Sequence, residues 1–169
     1  LLVSSAASDV YKRQTIDVET SREVEKIARE SNLRMLDAPV SGGVTGAESG
    51  TLTFMVGGDS SAFNDAKEIL NIMGGNVIHA GQAGNGQVAK IANNMLLAIS
   101  MIGTSEAFKL AENLGLDPST FFDIASTASG QCWSMTSYCP VPGPVPTSPA
   151  NNGYKPCLLY TSPSPRDQS

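Results

Sequence analysis

The chain has 169 residues, of which 41% are hydrophobic and 16% are charged, which is the composition of an ordinary globular protein. Its net charge of −5 argues against nucleic acid as a partner, because nucleic-acid-binding domains need a basic face. The apolar runs are shorter than the ~20 residues that span a bilayer, and the first residues lack a secretory pattern, so no membrane attachment is expected. Three cysteines and one histidine argue against a disulfide framework and a multi-histidine metal site.

Residues 15–85 alternate between helix and strand patterns. A capping box predicts a helix over residues 17–31, and apolar runs predict strands over residues 35–40, 52–56 and 76–80. A further helix, capped by Asp59 or Ser60 and ended by Gly74, has one apolar face formed by Phe63, Ala66, Ile69, Leu70 and Met73. Residues 41–50 contain four glycines and are expected to form a loop. This order of elements predicts an α/β sheet.

After residue 85 only helices are expected. A helix over residues 87–114 would be ~42 Å long at 1.5 Å per residue, and Gly115 ends it. Its middle, residues 95–102, is apolar on nearly every side, which predicts that it is buried. A capping aspartate and a first-turn proline predict another helix over residues 117–129, and prolines interrupt regular structure from residue 140 onward.

Lys90 lies near the start of the long helix, and Asn94 follows one turn later on the same face. Lysine is rarely buried without a reason, so a lysine beside an amide at a buried helix start is a candidate catalytic pair. The alternative is a lysine at a helix end whose ammonium group reaches solvent. Spacing alone leaves both interpretations open.

The turn before this helix, Gly84-Asn-Gly86-Gln-Val-Ala89, superficially fits a dinucleotide-binding glycine pattern. A complete unit needs a second strand within about 30 residues, ending in an acidic residue, whereas here the helix simply continues. We therefore interpret these glycines as a tight join between the sheet and the helix.

Three motifs together indicate a family resemblance. The first is Asp-Ala-Pro-Val-Ser-Gly-Gly at residues 37–43, with the glycine-bounded strand of residues 50–58. The second is the glycine turn with its lysine and asparagine, residues 81–94. The third is Ser-Gly-Gln-Cys-Trp-Ser at residues 129–134, with Pro-Val-Pro-Gly and Asn-Asn further on. From residue 15 to about residue 154 the chain resembles the 3-hydroxyisobutyrate dehydrogenase branch of the β-hydroxyacid dehydrogenases.

The resemblance implies roles for the first two motifs. Lys90 corresponds to the family's catalytic lysine, and Asn94 corresponds to the asparagine that holds substrate beside it. Ser41, Gly42 and Gly43 correspond to the loop that binds the substrate carboxylate. An ordinary tight turn is the alternative for that loop, although a hydroxyl and unobstructed N–H groups suit a carboxylate.

The resemblance also implies a nicotinamide cofactor, NAD. Thr15 corresponds to a position that contacts this cofactor, with a helix-flanking residue as the alternative. Trp133 is interpreted as a core or interface aromatic residue. The residue before Asn94 is Asn93, where the related 6-phosphogluconate enzymes have a histidine, which argues against that substrate.

The implied fold class is α/β: the C-terminal part of a Rossmann-like NAD-binding domain, followed by a long helix into a truncated all-α domain. We expect a non-family leader, the end of the Rossmann-like domain, the start of the helical C-terminal domain and a foreign or disordered tail, at residues 1–14, 15–85, 86–154 and 155–169. The family's glycine fingerprint and acidic ribose contact have no counterpart in the sequence. We therefore expect a central fragment that is inactive in isolation.

The implied activity is NAD-dependent oxidation of 3-hydroxyisobutyrate to methylmalonate semialdehyde in valine breakdown, with Lys90 as general acid and base. The alternatives are a sibling reductase of tartronate or succinic semialdehyde, and a non-catalytic scaffold with the same fold. The expected partners are a small hydroxyacid and, in the complete protein, further copies of the chain, without metal, nucleic acid or membrane. The expected location is the mitochondrial matrix for a eukaryotic source and the cytoplasm otherwise.

Overall fold

A computed structural model describes residues 2–3, 9–12 and 16–153 of the chain. The strands are β1 (Leu2–Val3), β2 (Asp9–Lys12), β3 (Arg34–Asp37), β4 (Val40–Ser41), β5 (Leu52–Gly58) and β6 (Gly74–Gly81). The helices are α1 (Val18–Glu30), α2 (Gly43–Glu48), α3 (Ser60–Met73), α4 (Asn85–Asn113), α5 (Pro118–Ala125) and α6 (Trp133–Thr136), followed by a 3-10 helix at Pro149–Asn152. The chain divides into two compact units, Leu1–Met95 and Leu96–Ser169. The predicted α/β class is confirmed, with helices alone after β6 in the described part.

The first unit is built on a mixed sheet with strand order β1-β2-β3-β5-β4, in which β6 also pairs with β5. β5 pairs in parallel with β6 and antiparallel with β3 and β4. The prediction of one strand over residues 35–40 was wrong in detail, because Pro39 has no N–H to donate and the strand is interrupted there. The two pieces nevertheless keep one register along β5, with Asp37 opposite Gly57 and Val40 opposite Phe54.

The core of the first unit lies between β3, β5 and α3. Phe54 and Val56 of β5 are completely buried against α3. The predicted cap is confirmed as Asp59, whose carboxylate accepts hydrogen bonds from the N–H groups of Ser61 and Ala62. The predicted apolar face of α3 is correct except for Ile69, which is exposed.

The second unit packs Phe108 of α4, Ala125 of α5 and Met135 of α6 into one cluster. The ring of Phe121 meets that of Phe108 edge to face, with 5.0 Å between the centroids. Helix α5 ends at Ala125, earlier than the predicted residue 129, because hydroxyl groups of the next two residues donate to the carbonyl of Asp123 and close the helix.

The middle of α4 is exposed, which contradicts the prediction that it is buried. Met95 is 63% exposed and Ile102 is 65% exposed. An apolar surface is buried only where another element covers it, and the described residues leave this stretch uncovered. No helix in the described part of the chain is long and apolar enough to cross a membrane.

Candidate functional site

The start of α4 is held by a buried carboxylate. Asp37, the last residue of β3, is only 1% exposed. Its Oδ1 accepts a hydrogen bond of 2.7 Å from the N–H of Gly84, and its Oδ2 accepts one of 2.9 Å from the N–H of Gln87. The first N–H groups of a helix have no partner within the helix, and a carboxylate there also complements the helix dipole. Asp37 therefore ties the sheet to the helix that carries Lys90.

Two glycines leave room for this carboxylate. A methyl group at Gly86 would lie 2.6 Å from Asp37 Oδ2 and closer still to the carbonyl oxygen of Met55. A methyl group at Gly57 would likewise collide with Asp37 Oδ1. The sequence-based interpretation of the glycine turn as a tight join between sheet and helix is confirmed by these approaches.

Gln87 is a second buried polar residue at this join. Its side chain is fully buried, and its Oε1 accepts a hydrogen bond of 3.1 Å from the N–H of Ile16. Sequence reasoning missed both Asp37 and Gln87 as functional candidates. The signal was present, because an aspartate that ends an apolar strand must find hydrogen-bond donors if it is buried.

Lys90 lies one turn beyond Gln87 and is half-buried. Burial lowers the pKa of its ammonium group below the ordinary value of 10.5, because desolvation penalises the charged form. Asn94 is exposed and follows one turn later in the unbroken helix α4, so the prediction that both side chains share a face is confirmed. Among the described residues, neither side chain forms a hydrogen bond or an ion pair.

The other predicted motif lies where β4 passes into α2: Ser41 ends β4, Gly42 follows it and Gly43 begins α2. The expected loop is only partly correct, because helix α2 forms within it and Gly42 is its N-cap residue. Gly42 has φ +138° and Gly43 has φ +61°, conformations that favour glycine. Both glycines are exposed and lie beside the half-buried Ser41.

The remaining candidates give a mixed result. Thr15 lies outside the described residues, although its neighbour Ile16 is the residue whose N–H bonds to Gln87. Trp133 is 53% exposed, so it is not a core residue, and its ring stacks on Tyr138 with 5.1 Å between the centroids.

Comparison with known proteins places this geometry in a family. Residues 8–81 match the NAD-binding domain of 6-phosphogluconate dehydrogenase. Residues 84–148 match the NAD-binding domain of NADP-dependent 3-hydroxyisobutyrate dehydrogenase. The chain belongs to the 3-hydroxyisobutyrate dehydrogenase family. The first match includes residues 8–14, which the sequence analysis assigned to a leader.

Individual members of the 3-hydroxyisobutyrate dehydrogenase family agree with this assignment. The human mitochondrial enzyme is 52% identical over 141 residues, which are 83% of this chain and 42% of that protein. The Pseudomonas aeruginosa enzyme is 51% identical over 140 residues, 83% of this chain and 47% of that protein. The structure of the Mycobacterium tuberculosis enzyme with L-serine superposes with a TM-score of 0.85 at 45% identity, covering 96% of this chain and 62% of that one. The chain thus spans about half the length of the curated relatives.

NAD-binding domains of this dehydrogenase family hold a dinucleotide, but the turn at residues 81–86 does not fit its pyrophosphate. The N–H groups of Gly84 and Gln87 are already bonded to Asp37, and a phosphate there would meet a carboxylate. The described residues therefore supply no pyrophosphate cradle at this turn. They supply Lys90, the amide of Asn94 and the exposed glycines Gly42 and Gly43.

Proposed function

We propose that the full-length protein is an NAD-dependent 3-hydroxyisobutyrate dehydrogenase that forms methylmalonate semialdehyde. The observation that carries the proposal is a half-buried Lys90 with a lowered pKa, one helical turn before Asn94. This pair of residues lies in a chain that shares 51–52% sequence identity with relatives that bear this enzyme's name.

Lys90 is the proposed general base. Oxidising an alcohol removes a hydride and a hydroxyl proton, and NAD, when bound, supplies the hydride acceptor. The neutral Nζ of Lys90 accepts the proton, and in the reverse direction its ammonium group donates a proton to the carbonyl oxygen. Desolvation favours the neutral amine, so the environment of Lys90 supports this role.

The other candidates bind and orient the substrate. The amide of Asn94 lies on the same helix face as Lys90 and can hydrogen-bond to the reacting oxygen. Ser41 offers a hydroxyl and the exposed residues Gly42 and Gly43 offer backbone N–H groups, which suit the substrate carboxylate. Thr15 remains a predicted contact of the cofactor.

The family relatives also support a setting for this activity. The human and Dictyostelium discoideum relatives are named mitochondrial, which supports the mitochondrial matrix if the source is eukaryotic. The substrate belongs to valine breakdown, and the full-length protein is proposed to form a homo-oligomer.

The test uses the full-length protein with the variants Lys90→Ala and Lys90→Arg, and Lys109→Ala as a matched control. Lys109 lies on the same helix but is exposed and paired with Glu112 at 2.9 Å. NADH formation is followed with 3-hydroxyisobutyrate, L-serine, glycerate and 4-hydroxybutyrate, of which the last two are the alcohols that correspond to tartronate semialdehyde and succinic semialdehyde. We expect both Lys90 variants to lose about 10²–10⁴-fold in kcat/KM, because arginine does not deprotonate. Lys109→Ala should keep the wild-type rate.

Each other result has a defined meaning. Selective turnover of another hydroxyacid keeps the mechanism and replaces the substrate with that of a sibling enzyme. An active Lys90→Arg variant contradicts the base role, because it would show that the positive charge alone suffices. A wild type that neither turns over nor binds NAD supports the non-catalytic scaffold.

A further inference from the structure

Asp37 is a buried carboxylate for which the proposed chemistry has no use. Burying such a group is costly unless hydrogen bonds compensate for the lost hydration. Each of its two oxygens accepts one backbone hydrogen bond, from Gly84 or from Gln87. Both donors belong to the segment that begins α4, so the carboxylate fixes this segment to the end of β3.

The join leaves little freedom to the helix start. Gly57 and Gly86 approach the carboxylate so closely that neither position has room for a methyl group. The side chain of Gln87 adds a third link, through its hydrogen bond to the N–H of Ile16. The first turn of α4 is therefore held to the sheet, to a neighbouring segment and to the carboxylate at once.

Lys90 lies three residues after Gln87, on the adjacent turn of the same face. Because an α-helix has a fixed rise and rotation per residue, a displacement of the first turn is transmitted to Lys90. Displacements of about 1 Å at a reacting group can cost about 10²-fold in rate.

We propose that Asp37 is a positioning residue for Lys90: its buried carboxylate fixes the start of α4 so that the amine meets the substrate hydroxyl. The proposal rests on the proposed function. Asp37 itself touches neither substrate nor cofactor in this scheme and acts through the helix.

The test compares Asp37→Asn with Asp59→Asn in the full-length protein. An asparagine at position 37 accepts only one of the two hydrogen bonds and turns an N–H group toward the other donor. Asp59 is a matched control, because its carboxylate also accepts two backbone hydrogen bonds at a helix start, but on α3. We expect kcat to fall about 10²-fold in Asp37→Asn with KM close to wild type, and Asp59→Asn to keep the wild-type kcat.

A further readout separates positioning from mere loss of folded protein. In a Lys90→Ala background, Asp37→Asn should cause no additional loss in kcat, because its effect passes through Lys90. An equal fold-loss in kcat with and without Lys90 overturns the proposal.

A measurement without variants covers the case in which Asp37→Asn does not fold. In amide hydrogen exchange of the wild type, the N–H groups of Gly84 and Gln87 should exchange far more slowly than those of Ser61 and Ala62. The first two bond to the buried Asp37, whereas the other two bond to the exposed Asp59. Equal exchange at the two sites refutes the anchor. An inactive wild type or an active Lys90→Ala variant refutes the proposed function, whereas an inactive Lys90→Ala with an unaffected Asp37→Asn refutes the role of Asp37 alone.

Discussion

Gly86→Ala should destabilise the protein although alanine favours helices. The new methyl group would lie 2.6 Å from Asp37 Oδ2 and 2.8 Å from the Asp37 carbonyl oxygen, and closer to the carbonyl of Met55. These neighbours are backbone atoms or a bonded carboxylate, so the start of α4 must move by about 1 Å to restore ordinary contact distances. Overpacking of this kind costs about 1–3 kcal/mol, and weakening the hydrogen bonds of a buried carboxylate adds about 1–3 kcal/mol.

The gain in helix propensity opposes this cost by about 1 kcal/mol, so we expect a net loss of about 1–5 kcal/mol in the free energy of unfolding. Gly103→Ala is the matched control, because Gly103 lies in the same helix and a methyl group there meets nothing within 4 Å. That variant should be more stable than wild type by about 0.5–1 kcal/mol. Urea unfolding followed by circular dichroism measures both, and a Gly86→Ala variant as stable as Gly103→Ala refutes the reasoning.

Two further predictions concern pH and a loop. Lys90 binds its proton less tightly in the native state than in the unfolded chain, so both kcat/KM and the free energy of unfolding should rise with pH below 10.5. Rate and stability measured against pH check this, and neither rise should occur in a Lys90→Ala variant. Asn151 accepts a hydrogen bond from the N–H of Gly143 and donates one to the carbonyl of Val145, so Asn151→Ala should cost about 1–2 kcal/mol and admit proteases to this loop. Asn152→Ala is its control in thermal melts and limited proteolysis, and equal effects of the two would contradict the loop's dependence on Asn151.

The predictable part of the fold is the part set by local patterns. The carboxylate at the cap of α3 and the apolar positions that follow it decided where that helix begins and which face is buried. Helix α2 was missed because its sequence, rich in glycine, has a poor intrinsic preference for helix. Pairing with β5 creates β4 after the proline, and such long-range pairing leaves no periodicity in so short a segment.

In the candidate site, too, the features set by local sequence were predictable and those set by long-range contacts were not. The shared face of Lys90 and Asn94 follows from helix geometry alone, so spacing predicted it. The role of Asp37 depends on atoms 47 and 50 residues away in sequence, which no local pattern encodes. The exposed middle of α4 shows a second limit of sequence-based prediction. Its apolar composition predicts burial, but an apolar surface is buried only where another element covers it. A candidate lysine can thus be proposed from its neighbours in sequence, whereas the contacts that fix its helix become apparent only from its neighbours in space.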